Sequence, residues 1–157
     1  MSSSESRGKP AAGKQSLIQR RRKARHYGVQ ALYRWQVNGG SPNEIEAEFR
    51  TEYDLNQTDR EYFRAILEGV IYQQPEIDAA FAEFLDRDIS EMTPVELALL
   101  RQGVFELKDR LDVPYKVVIS EAVALAKKFG ATDGHKFING VLDRVAGRLR
   151  EAEVGSR

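Results

Sequence analysis

The chain has 157 residues, 41% apolar and 31% charged, which fits one soluble globular domain with a core of its own. It has no cysteine, which excludes disulfides and thiolate metal sites, and no run of about 18 apolar residues that would span a membrane. Formal net charge is zero, but residues 1–36 carry nine Lys/Arg against one acid, whereas residues 41–100 carry four Arg against fifteen acids. That segregation predicts a basic face for a polyanion and an acidic face for a basic partner, unless folding interleaves the two segments.

Residues 1–17 are rich in Ser, Gly, Ala and Lys, show no periodicity and form no apolar h-region. They are expected to be a disordered basic arm, not a secretory signal, which fits a cytoplasmic protein. From residue 18 to 150 the pattern is helical throughout and predicts a single all-α domain, with a disordered tail at 151–157. Seven helices are expected, at about 18–38, 42–53, 58–73, 75–86, 93–110, 114–129 and 132–150.

Capping boxes are expected at Ser41-Pro42-Asn43-Glu44, Thr58-Asp59-Arg60-Glu61 and Thr93-Pro94-Val95-Glu96. Pro114 and Thr132 mark two further starts, and Pro75 separates two helices. Phe63, Ile66, Leu67, Val70 and Ile71 form one apolar stripe, and Phe137, Ile138, Val141, Leu142, Val145 and Leu149 another. The helix at 114–129 is apolar on most sides and is expected to be the central, most buried one.

The first helix opens with QRRRKARHYGVQALYRWQ, residues 19–36. At about 100° per residue, Ala24, Gly28, Ala31, Leu32 and Trp35 share the expected buried face. Arg22, Arg25, His26, Val29 and Tyr33 share the opposite, outward face. Arginines beside an aromatic ring suit single-stranded nucleic acid: guanidinium groups pair with phosphates and the ring offers a face to a base. Four cations at a helix N-terminus oppose the helix dipole, which again points to a partner that uses them.

Other chemistry is poorly supported. The two histidines, His26 and His135, are far apart, neither GxGxxG nor GxxxxGK[ST] occurs, and Ser120, His135 and Asp133 make only a chance trio. Within GATDGHKFINGVLDRVA, 130–146, Gly134 and Gly140 stand where alanine would favour a helix, so close approach of a helix or ligand is expected there.

RRRKARHYGVQALYRWQ, together with DVPYKVVISEAVALAKKFGATDGHKFINGVLDRVA at 112–146, closely resembles the NusB family of bacterial transcription antitermination factors, over about residues 20–150. The resemblance implies an all-α fold of two helical subdomains packed across each other, with no enzymatic activity and no cofactor. It implies binding of boxA RNA from ribosomal RNA leaders together with NusE, a protein of the small ribosomal subunit, in a complex with RNA polymerase and other Nus factors. By position it assigns RNA contact to Arg20, Arg21, Arg22, Arg25, Tyr33, Asp133, Lys136 and Phe137, and a NusE-facing role to Glu96. Phe137 is thus assigned both to the core, by periodicity, and to RNA. Glu96 is assigned both to a cap and to a partner. Monomer and homodimer both remain open, and the dimer could bury the arginine face. Two alternatives are a protein-interaction bundle and a truncated accessory domain of an RNA methyltransferase, which would need a further catalytic domain.

Overall fold

The computed structural model describes the backbone of residues 2–155 and the side chains from Leu17 to Gly155. Eight α-helices follow one another among these residues: α1 Ser2–Asn38, α2 Pro42–Glu52, α3 Arg60–Tyr72, α4 Gln74–Ala82, α5 Pro94–Asp109, α6 Tyr115–Phe129, α7 Gly134–Leu149 and α8 Glu151–Val154. A 3-10 turn at Ile89–Glu91 leads into α5, and no strand occurs among the described residues. The fold is all-α, as the sequence implies. Apart from Leu17, the side chains of the expected arm at 1–17 lie outside the described residues.

Helices α1, α2 and α3 pack on one another, and α5, α6 and α7 form a second group joined by α4 and α8. Helix α5 joins the two groups, packing against α1, α3, α4, α6 and α7. Every residue from Ala98 to Leu107 is buried, which makes α5 the central helix in place of the expected 114–129. Helix α6 buries only the side that carries Tyr115, Val118, Ile119, Ala122, Leu125 and Ala126. The sequence misleads here because α5 carries Arg101, Gln102 and Glu106 into the interior, each hydrogen-bonded to a residue of another helix. Polar content lowers the apparent apolarity of a helix, but paired polar groups can still be buried.

The expected capping boxes form at Ser41 and Thr93, each with its Glu reaching back to the cap amide. At α3 the cap is Asp59, whose side chain accepts from the Tyr62 amide, while Thr58 is buried. Helix α7 starts at Asp133 instead of Thr132, with φ of 65° and no side-chain cap. Asp is one of the few residues that tolerate this left-handed conformation.

Of the expected tail at 151–157, residues 151–154 form α8, and Glu153 is tied to the α5–α6 turn with Arg150. Arg150 is buried and donates to the carbonyls of Glu106, Leu107 and Arg110 at the end of α5. Glu153 accepts from Arg150 and from the backbone amide of Tyr115, the first residue of α6. One arginine and one glutamate thus satisfy both sides of the α5–α6 turn, whose open carbonyls and amides need partners. Composition gave no sign of this, because the partners are more than 30 residues away.

Close packing of α3 on α5 depends on Gly69, where an added Cβ would run into the Phe105 ring. Gly134 and Gly140, expected to allow close approach, have nothing within 4 Å of an added Cβ. Gly69→Ala is therefore expected to lower unfolding free energy by about 1–3 kcal/mol through overpacking. Gly140→Ala, in open space on a helix, is expected to raise it by up to about 1 kcal/mol. Urea denaturation of both variants checks the pair, and equal effects would contradict this account of the packing.

Candidate nucleic-acid interface

The arginines of α1 have distinct surroundings. Arg20 donates to the carbonyls of Asn56 and Thr58 at 3.0 and 3.1 Å, and its own carbonyl accepts from the Asp59 amide, so the loop before α3 is tied to α1. Arg21 lies between Asp112 at 3.2 Å and Asp59 at 3.5 Å. Arg22 is the most open of the set, with 52% of its side chain exposed and one bond of 3.1 Å to Glu121. Lys23, next to it, is exposed.

Arg25 faces inward, against expectation. It is 4% exposed and donates to both carboxylate oxygens of Glu106, at 2.9 and 3.1 Å. The Tyr62 hydroxyl donates to the same carboxylate, and Arg21, Arg25 and Arg110 lie over the Tyr62 ring at 4.7, 5.3 and 4.7 Å from its centre. Burial pushes the Glu106 carboxyl up from its usual range, against the pull of Arg25 and the Tyr62 hydroxyl. Burial also opposes the Arg25 charge, but Glu106, Tyr62 and Glu121 outweigh it and hold its pKa up. Val29, also expected outside, is buried. The single-stripe reading of α1 fails because the helix packs on α3 and α5 at once, so its buried arc is wider than one stripe. At Gly28, in that arc, an added Cβ would strike the Gln102 side chain and lie 3.2 Å from Ile66. Trp35, expected buried, is half-buried beneath Arg101.

Helices α1 and α6 run side by side in the same direction, with an open furrow between them. At its arginine end the furrow is lined by Leu17, Ile18, Arg21, Arg22, Val117 and Glu121. It continues past Lys23, His26, Tyr27, Ala124 and Lys128. Beyond it lies a separate apolar hollow lined by Tyr33, Phe49, Tyr53, Val95 and Phe129. Rings line the way: His26 is 5.3 Å from Phe129 and 5.0 Å from Tyr27, and Tyr27 is 5.1 Å from Tyr53. Arg22 lies on the furrow and Tyr33 on the hollow beyond it, about 16 Å apart along the helix at 1.5 Å per residue.

Asp133, Lys136 and Phe137 sit at the start of α7, four residues or more beyond Phe129. Asp133 and Lys136 are well exposed and approach each other to 3.7 Å. Phe137 is half-buried against the core, with Arg87 stacked over its ring at 5.0 Å, so it is both packing and surface. Glu96 completes the Thr93 cap through one oxygen and pairs with Arg87 at 3.3 Å through the other. The capping and surface roles assigned to Glu96 thus use different oxygens. Val95, its neighbour, lines the same hollow as Tyr33. Arg87, Lys23, Lys128 and Phe129 are members of this surface that sequence reasoning missed; the run Lys127-Lys128-Phe129 at the end of α6 was the available signal.

Replacing Arg25 or Glu106 singly by Ala leaves the other charge buried without its main partner. Each variant is expected to lose about 3–5 kcal/mol of stability by chemical denaturation. Arg22→Ala, at an exposed pair, is expected to cost less than about 1 kcal/mol. Comparable losses at Arg22 and Arg25 would overturn the inward placement of Arg25.

The model of the NusB family matches residues 22–147. The transcription antitermination protein NusB of Hahella chejuensis is 53% identical over 139 residues, covering 88% of this chain and 93% of its own. That of Pseudomonas fluorescens Pf-5 is 56% identical over 147 residues, covering 93% and 89%. The solved structure of T. maritima NusB superposes with a TM-score of 0.64 at 28% identity, over 81% of this chain and 90% of that one. No helix among the described residues is long and apolar enough to cross a membrane. A basic, ring-lined furrow on an all-α scaffold, and matches over most of the chain, lead to one conclusion: the chain belongs to the NusB family of transcription antitermination proteins.

Proposed function

We propose that this chain binds a boxA-type single-stranded RNA of ribosomal RNA leaders together with NusE, and that the complex helps RNA polymerase resist premature termination in the cytoplasm. The observation that carries this reading is the placing of open Arg22 on the furrow and exposed Tyr33 on the hollow beyond it, with the rings of His26, Tyr27, Tyr53 and Phe129 between them. A guanidinium supplies phosphate attraction and the phenol ring supplies a stacking face, the two elements a single strand needs. Arg20, Arg21 and Arg22 form the entry to the track, and Asp133, Lys136 and Phe137 its far edge. Arg25 serves from below, holding α1 at the angle that presents Arg22. Phosphate contacts set register without reading sequence, so the choice of boxA falls to groups that reach base edges, with Asp133 the acceptor for a base amine.

NusE is proposed to approach the face around Glu96. The carboxylate already holds Arg87, so a basic side chain of the partner would exchange with Arg87 instead of meeting a free acid.

Arg22→Glu is expected to abolish the shift of boxA-type RNA, with and without NusE, while helicity by circular dichroism stays the same. A slope of log affinity against log salt steeper than about −2 is expected for the wild type, since each neutralised phosphate on a single strand contributes about 0.7. Undiminished binding by Arg22→Glu, or a flat salt titration, would remove the proposal's basis.

A further inference from the structure

The middle of the furrow contains a cluster that the reading above does not use. Lys23 and His26 on α1 face Lys128 on α6, and the Lys128 Nζ lies 3.1 Å from His26 Nδ1. The Lys128 ammonium also stands 5.6 Å from the centre of the Phe129 ring. Among the described residues neither Lys23 nor Lys128 has an ion pair with a carboxylate. Glu121 is the acid lining this stretch, and it is already held by Arg22 and Arg25. Most other cations among the described residues have an acid within ion-pair distance; here Lys23, His26 and Lys128 line open space with no ion pair of their own.

We propose that Lys23, His26 and Lys128 form a clasp for one backbone phosphate of the bound single strand, next along the track from Arg22. This rests on the RNA-binding reading above and deepens it by assigning contacts in the middle of the furrow. The chemistry fits. A phosphodiester accepts from two ammonium groups and an imidazolium at once, and the adjoining His26, Tyr27 and Phe129 rings give the flanking bases faces to lie on. Clusters of one sign between low-dielectric walls attract the opposite charge strongly.

The clasp has a consequence for pH. In the free protein burial, then Lys128 and Lys23, holds the His26 ring below its usual pKa, so Nδ1 is free to accept from the Lys128 ammonium. The groups around it are Arg22, Lys23 and Tyr27 from α1, Glu121 and Lys128 from α6, and Tyr53 beyond Tyr27. A phosphate between the lysines cancels their repulsion and favours the imidazolium. Binding then takes up a proton, so affinity rises as pH falls through the bound-state pKa of His26 and levels off below its free-state pKa.

The test uses the full chain with a boxA-type RNA and a scrambled RNA of equal length, followed by fluorescence anisotropy at several salt concentrations and at about pH 6 and pH 8, either side of the usual histidine pKa. Lys128→Gln is expected to weaken binding to both RNAs by the same factor and to lower the salt slope by about 0.7. Lys128→Arg is expected to restore both. His26→Gln is expected to remove the pH dependence, His135→Gln to leave it, and NMR of the wild type to show the His26 ring pKa rising on binding. If the wild type binds while Lys128→Gln and His26→Gln match it in affinity, slope and pH dependence, the clasp is overturned and the RNA-binding reading stands. If the pH dependence vanishes with His135→Gln instead, the clasp is equally overturned. If the wild type binds neither RNA, both readings fall.

Discussion

The structure depends on one buried ionic contact, between Arg25 of α1 and Glu106 of the central helix α5, with the Tyr62 hydroxyl of α3 on the same carboxylate. Three helices from both halves of the fold meet there. Burying such charges is costly, and the arrangement is tolerable because Arg25 and Tyr62 both donate to the buried carboxylate. The Tyr62 ring adds a surface on which Arg21, Arg25 and Arg110 gather, so guanidinium groups that would repel one another in water share a π face and nearby acids. The contact sets the roll of α1 about its own axis, and that roll decides which arginines reach solvent.

Seen from that contact, the arginine-rich segment is a graded structure and not a uniform charge run. Arg25 belongs to the interior, Arg20 ties down the loop before α3, Arg21 is divided between two aspartates, and Arg22 is the most open. The acids that match them come from α3, α5, α6 and the α5–α6 turn. The charge asymmetry along the sequence is therefore largely cancelled in space at the base of α1, and it survives along the furrow wall, where Lys23 and Lys128 have no ion pair with a carboxylate among the described residues. A partial cancellation of this kind suits a surface that must attract a polyanion without repelling itself apart.

The two ends of the assigned surface are also connected by packing. Arg87 stacks on Phe137 with one face and pairs with Glu96 with one nitrogen, and Val95 opens onto the hollow that holds Tyr33. Phe137 and Glu96, proposed for RNA and for a protein partner, are thus linked through Arg87.

The sequence alone determined the all-α class, the helix order and most helix limits, because apolar periodicity, prolines at first turns and the Ser41 and Thr93 boxes are local signals. It also carried the family, since residues 112–146 are distinctive as a string. Tertiary structure decided what depends on partners far away in the chain. Arg25 and Val29 went inside because α1 is packed from two sides. Helix α5 displaced α6 as the centre because its polar residues are paired across helices. Residues 150–153 became a clamp on α5 and α6. Periodicity reports how apolar a face is, whereas burial of a charge depends on whether a complementary charge arrives from elsewhere, and only the folded chain brings the two together.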